Sequence, residues 1–130
     1  MTLVDTSIWI AVLREEIAVD EAAYEDFYTC GPVIQEVFQG LEENELDQGL
    51  AFAISNITCL SDPVPLDLFR SATEIHRQGR RRGLTIRSTM DCLIAAIALH
   101  NGAAIWHRNR DFDNIAQFTN LKARRSRWAN

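Results

Sequence analysis

Eight consecutive residues, Cys92-Leu93-Ile94-Ala95-Ala96-Ile97-Ala98-Leu99, carry no polar side chain. The run reads as a helix from about Thr89 to His100, stopped by Asn101-Gly102. A helix that is apolar all round is a buried one, so the remaining chain has to pack around it. Asp91 stands at the mouth of this helix. A carboxylate there is costly unless it is capped, paired or bound to a metal. Asp5 is placed similarly, just after Leu3-Val4. Glu36 lies in a helix begun by Pro32, and Asp111 follows the apolar run Ala103 to Trp106. These four acids, far apart in sequence, mark element edges.

The 130 residues fit one domain, taken as 1–130. The apolar segments are too short and interrupted to span a membrane. The start, Thr2-Leu3-Val4-Asp5, lacks the basic and apolar regions of a signal peptide, which points to the cytoplasm. Cys30, Cys59 and Cys92 have no CxxC spacing and read as free buried thiols rather than a zinc site or disulfide framework.

The net charge of −5 conceals an asymmetry. Residues 1–75 hold 2 basic and 15 acidic side chains, whereas residues 76–130 hold 11 basic and 3 acidic. A one-sided field suits a polyanion or an acidic partner, although the pI of 5.1 is low for a nucleic-acid domain.

Thr2-Leu3-Val4 reads as a short buried strand, and a helix follows from Thr6 to about Leu13. Val19 to Tyr28 reads as a second helix with an acidic outer face. Gly31 breaks the chain and Pro32 opens the next helix, whose apolar stripe is Val33, Ile34, Val37, Phe38 and Leu41. Gly49 to Ser55 reads as helix and Ile57 to Leu60 as strand. A long helix runs from about Pro65 to Arg81. Ala103 to Trp106 reads as a strand, Asp111 to Ala116 as a short helix, and Leu121 to Ala123 as a last strand. Alternating strands and helices imply an α/β fold with a parallel sheet of about four or five strands. Ligands of such sheets bind at the carboxyl ends of the strands, where Asp5 and Asp111 fall.

Each acid also has a local reading. Ser88-Thr89-Met90-Asp91 fits a capping box. Asp5 can cap the helix at Thr6, Glu36 can be an exposed helical residue, and Asp111 or Asp113 can start a short helix. As a set, the acids suit Mg²⁺ or Mn²⁺, which prefer hard carboxylate oxygens. Such an ion polarises a phosphate and lowers the pKa of a bound water. Arg108 and Arg110 would place positive charge nearby for an anionic substrate.

Four segments resemble the PIN-domain ribonucleases: Val4-Asp5-Thr6-Ser7-Ile8-Trp9, Pro32 to Leu41, Ser88 to Ala96, and His107 to Ala116. Their order and spacing are similar to those of the VapC toxins of bacterial toxin–antitoxin pairs, over essentially the whole chain. The resemblance implies a PIN-like three-layer α/β/α sandwich and an Mg²⁺- or Mn²⁺-dependent endoribonuclease. It implies Asp5, Glu36, Asp91 and Asp111 as catalytic and metal-site acids, with Thr6 and Ser7 supporting. It also implies an RNA substrate of the tRNA or rRNA class, a VapB-like antitoxin and a homodimer. Arg87, Arg108 and Arg110 are the RNA-binding candidates. The departure is Asn109, where many relatives carry Asp; Asn keeps a carbonyl oxygen but removes a charge, and Asp113 is the candidate to compensate.

His107 lies near the site by sequence, while His76 and His100 form no ligand pattern. Trp9, Phe38, Trp106 and Phe112 read as core. Trp128, in Arg124-Arg125-Ser126-Arg127-Trp128, reads as a stacking or docking residue or as part of a disordered end. Two other functions compete. A metal-dependent phosphatase needs a second acid two residues after Asp5, where this chain has Ser7. A PIN-like module that binds RNA or protein without cleaving it is supported by Asn109.

Overall fold

The apolar octet forms the middle of a buried helix. In the computed structural model, which describes residues 1–45 and 49–126, this helix is α5 (Thr89–Asn101) and every residue from Asp91 to Ala98 is buried. Ser88 is its N-cap, and the Ser88 hydroxyl accepts from the Asp91 amide. Gly102 ends it in the left-handed region, φ 67°, where a residue with a side chain is strained. α5 packs along α4 (Leu66–Arg81), which turns Leu68, Ala72, Ile75 and Gly79 inward at helical spacing.

The other elements are β1 (Thr2–Val4), α1 (Thr6–Leu13), β2 (Phe27–Tyr28), α2 (Gly31–Gly40), α3 (Gly49–Ser55), β3 (Ala104–His107), α6 (Arg110–Ala116) and β4 (Ala123–Arg125). The four strands form one parallel sheet in the order β2-β1-β3-β4. Leu3 pairs with Tyr28 on one side and Ile105 on the other, and Ile105 pairs with Ala123. The chain leaves central β1 for β2 on one side and later returns to β3 on the other. The order therefore reverses at the carboxyl ends of β1 and β3, the crevice where open α/β sheets bind ligands. The Asp5 amide donates to the Trp106 carbonyl at 3.0 Å, so the ladder reaches the first acid.

Three expectations need correction. Val19 to Tyr28 is not a helix: Glu21–Asp26 is a 3₁₀ turn, and Phe27–Tyr28 is drawn into the sheet beside Thr2 and Leu3. Trp9 meets Phe27 edge-on, with ring centroids 5.9 Å apart, which holds that aromatic strand against α1. Ile57 to Leu60 makes only a bridge, Thr29 to Cys59, with Thr29 bonded to Thr58 and Leu60. The last strand begins two residues later than expected, because Trp106 and His107 pair with Arg124 and Arg125. The three cysteines are free thiols, with Cys59 only half-buried. No helix of the described residues is long and apolar enough to cross a membrane. Trp128 lies outside the described residues.

Candidate functional site

Asp5 leaves β1 in extended conformation and caps α1. Its Oδ2 accepts from the Ser7 amide at 3.1 Å and the Ser7 hydroxyl at 2.6 Å. Ser7 Oγ in turn accepts from the Arg108 amide at 3.1 Å, which ties the end of β1 to the loop after β3. Thr6 Oγ1 donates to Glu36 Oε1 at 3.3 Å, so α1 also steers the acid of α2. A serine bound to Asp5 occupies the place where a phosphatase would need its second acid.

Asp91 does not reach back to close a capping box. Its Oδ2 instead accepts from Asn109 Nδ2 at 2.6 Å. Asn109 caps α6, its Oδ1 accepting from the Asp111 amide at 3.0 Å, and its own amide donates to His107 Nδ1 at 3.0 Å. The residue that departs from the family pattern is therefore fixed on three sides. One carboxylate oxygen from each of Asp5, Glu36 and Asp91 lies within 4.8 Å of the others. Strand β1, helix α2 and helix α5 thus each send one acid to the same point.

Asp111 is buried next to Asp91, but both its oxygens are engaged. Oδ1 and Oδ2 each accept from the Arg87 amide at 3.1 Å, and Oδ2 also accepts from the Ser88 amide at 3.0 Å. It grips the entry to α5. Asp113 is directed elsewhere, pairing with Arg125 and lying 3.4 Å from His107 Nε2. Arg87 and Arg110 are exposed. Arg108 corrects the expectation of an RNA contact: its side chain is 4% exposed and paired with Glu16 at 3.2 Å. Glu16 drew no attention in the sequence because a charge pair 92 residues apart leaves no local pattern.

The electrostatics reflect crowding. Burial raises the Asp5 carboxyl, against the Ser7 hydrogen bonds that lower it. Burial and then the Asp5 charge raise Glu36. Asp91 is pushed up to about 8 by burial, by its contact with Asp111 and by the charges of Asp5 and Asp111, while Asn109 opposes the shift. Burial holds His107 below the usual histidine range, and its Nδ1 acts as an acceptor. Among the described residues, no arginine or lysine forms an ion pair with Asp5, Glu36 or Asp91. Three adjacent hard oxygen donors with raised proton affinity and no cationic partner fit a small divalent cation.

Residues 2–117 match the family model of the PIN domain. The chain is 37% identical to a VapC ribonuclease of Mycobacterium bovis and to ribonuclease VapC11 of Mycobacterium tuberculosis, each aligned over 95% of this chain and 97% of the relative. The fold is similar to VapBC-5 of Mycobacterium tuberculosis, a member of the VapBC toxin–antitoxin family (TM-score 0.72, 19% identity, 96% of this chain and 98% of that one). It is also similar to VapBC2 of Rickettsia felis bound to a promoter DNA fragment (TM-score 0.74, 18% identity, 95% and 97%).

Proposed function

The chain belongs to the PIN-domain family as a VapC-type toxin ribonuclease, and on that premise we propose that Asp5, Glu36 and Asp91 hold the divalent cation with which it hydrolyses RNA. The observation that carries this reading is the convergence of three carboxylates from three separate elements within 4.8 Å at the sheet's switch point. Mg²⁺ or Mn²⁺ in such a site supplies Lewis acidity toward a phosphate oxygen and a lowered pKa for water. The chain's own groups do the rest. Ser7 fixes Asp5, Thr6 orients Glu36, and Asn109 holds Oδ2 of Asp91. Asp111 acts as a positioning residue, because three amide contacts already occupy its oxygens. Exposed Arg87 and Arg110 neutralise backbone phosphates beside the acids.

The substrate in this reading is cellular RNA of the tRNA or rRNA class, and the setting is the cytoplasm. The partner is a VapB-like antitoxin whose basic residue covers the carboxylates, and the toxin pairs as a homodimer. Incubation of bulk tRNA and rRNA with the purified protein and Mn²⁺ tests the assignment. Cleavage is expected from the wild type, lost on adding a chelator and lost in Asp91→Asn. Chelator-resistant cleavage, or equal cleavage by Asp91→Asn, would overturn it.

A further inference from the structure

An open groove runs between α4 and the start of α5, lined by Phe69, His76, Arg77, Arg80, Thr89 and Met90 among others. Thr89 and Met90 immediately precede Asp91, and Met90 also lines the hollow that contains Glu36. The groove and the acid cluster thus meet at one side chain. No carboxylate lines the groove.

The charges on α4 are unevenly matched. Its two acids have partners on α4 itself, Asp67 with Arg70 at 3.1 Å and Glu74 with Arg81 at 3.2 Å. Arg77 and Arg80, both exposed on the groove, form no ion pair among the described residues. Phe69 is 47% exposed and lines the same groove, an aromatic ring open to solvent on the helix that carries these two guanidinium groups. Positive charge and an exposed ring along one groove suit a single-stranded nucleic acid, whose phosphates need cations and whose bases stack. An acidic peptide would meet the same charges, but the groove's junction with the carboxylate cluster favours the strand being cut.

We propose that the α4–α5 groove is a subsite for single-stranded RNA flanking the scissile bond, with Arg77 and Arg80 on phosphates and Phe69 stacked on a base. The subsite rests on the nuclease reading for its purpose, but its occupancy is measurable without cleavage. The probe is a fluorescent random-sequence 16-nucleotide RNA, titrated by anisotropy in chelator at several salt concentrations. Arg77→Gln and Arg80→Gln are each expected to weaken binding several-fold and to flatten the log–log salt slope by roughly 0.7, the value for one phosphate contact on a single strand. Phe69→Ala is expected to weaken binding by about tenfold with the salt slope unchanged. Arg70→Gln removes the same charge from α4 outside the groove and is expected to bind as wild type. Wild-type affinity and slope in the groove variants would overturn the proposal and leave the surface to a protein partner, as would an equal loss in Arg70→Gln. The nuclease reading fails separately, if wild type with Mn²⁺ leaves RNA intact while the groove variants still lose affinity.

Discussion

At Asp91 one side chain meets two demands. Its amide is capped by Ser88, while its carboxylate faces Asn109 and the acids of β1 and α2. Because Asp91 titrates near 8 instead of 3.8, the metal-free folded protein holds a proton that the unfolded chain has lost. Stability then falls as pH rises through that interval. His107, held below 6.5, acts in the opposite sense until that pH, so 6.5 to 8 is the interval in which the carboxylate acts alone of the two. Thermal melts in chelator should show Tm decreasing from pH 6.5 to 8 in wild type and a flatter profile in Asp91→Asn; parallel profiles would rule out a buried, strained Asp91. Asn109→Asp places a second carboxylate where the amide now donates at 2.6 Å. The variant should melt lower without metal and gain more Tm from Mn²⁺ than wild type, and an unchanged gain would show that the site lacks no charge. Ser7→Ala removes both the Asp5 contact and the anchor for the Arg108 amide. Outer partners of metal ligands typically contribute about 10–100-fold, so cleavage by Ser7→Ala should fall in that range.

At the scale of elements, α5 was legible because its composition permits little else, and its stop was legible because Gly102 supplies a left-handed residue. Gly102→Ala should cost about 1–2 kcal/mol in chemical denaturation with cleavage per folded molecule unchanged, since Gly102 lies at the far end of α5 from Asp91. The β1–α1 edge was legible for a similar reason: the apolar pair Leu3-Val4, a capping acid and helical spacing after it. Phe27–Tyr28 was not, because an acidic 3₁₀ segment before it imitates a helix face and only pairing with Thr2 and Leu3 makes it a strand. Glu36 read locally as an exposed helical residue; the contact with Thr6 that gives it a role is 30 residues away. The burial of Arg108 was hidden in the same way, since its ion pair is with Glu16, in the turn that follows α1.

For the whole molecule, the acidic first half supplies Asp5 and Glu36, and the basic second half supplies Asp91 together with Arg87 and Arg110. Folding brings the two halves together at the reversal in strand order, so the three carboxylates proposed to hold the cation are drawn from both halves. Strand order is set by long-range pairing, which explains why the sequence marked the four acids but not which three share an oxygen-lined point. Binding of RNA to this surface should weaken steeply with salt, as for any phosphate-dominated complex, and a flat salt profile would argue against the basic half as its contact surface. The most direct test of the central claim is anomalous X-ray diffraction from crystals grown with Mn²⁺. A manganese peak bonded to carboxylate oxygens of Asp5, Glu36 and Asp91 is expected. Manganese bound elsewhere, with these three side chains uncoordinated at saturating Mn²⁺, would contradict it.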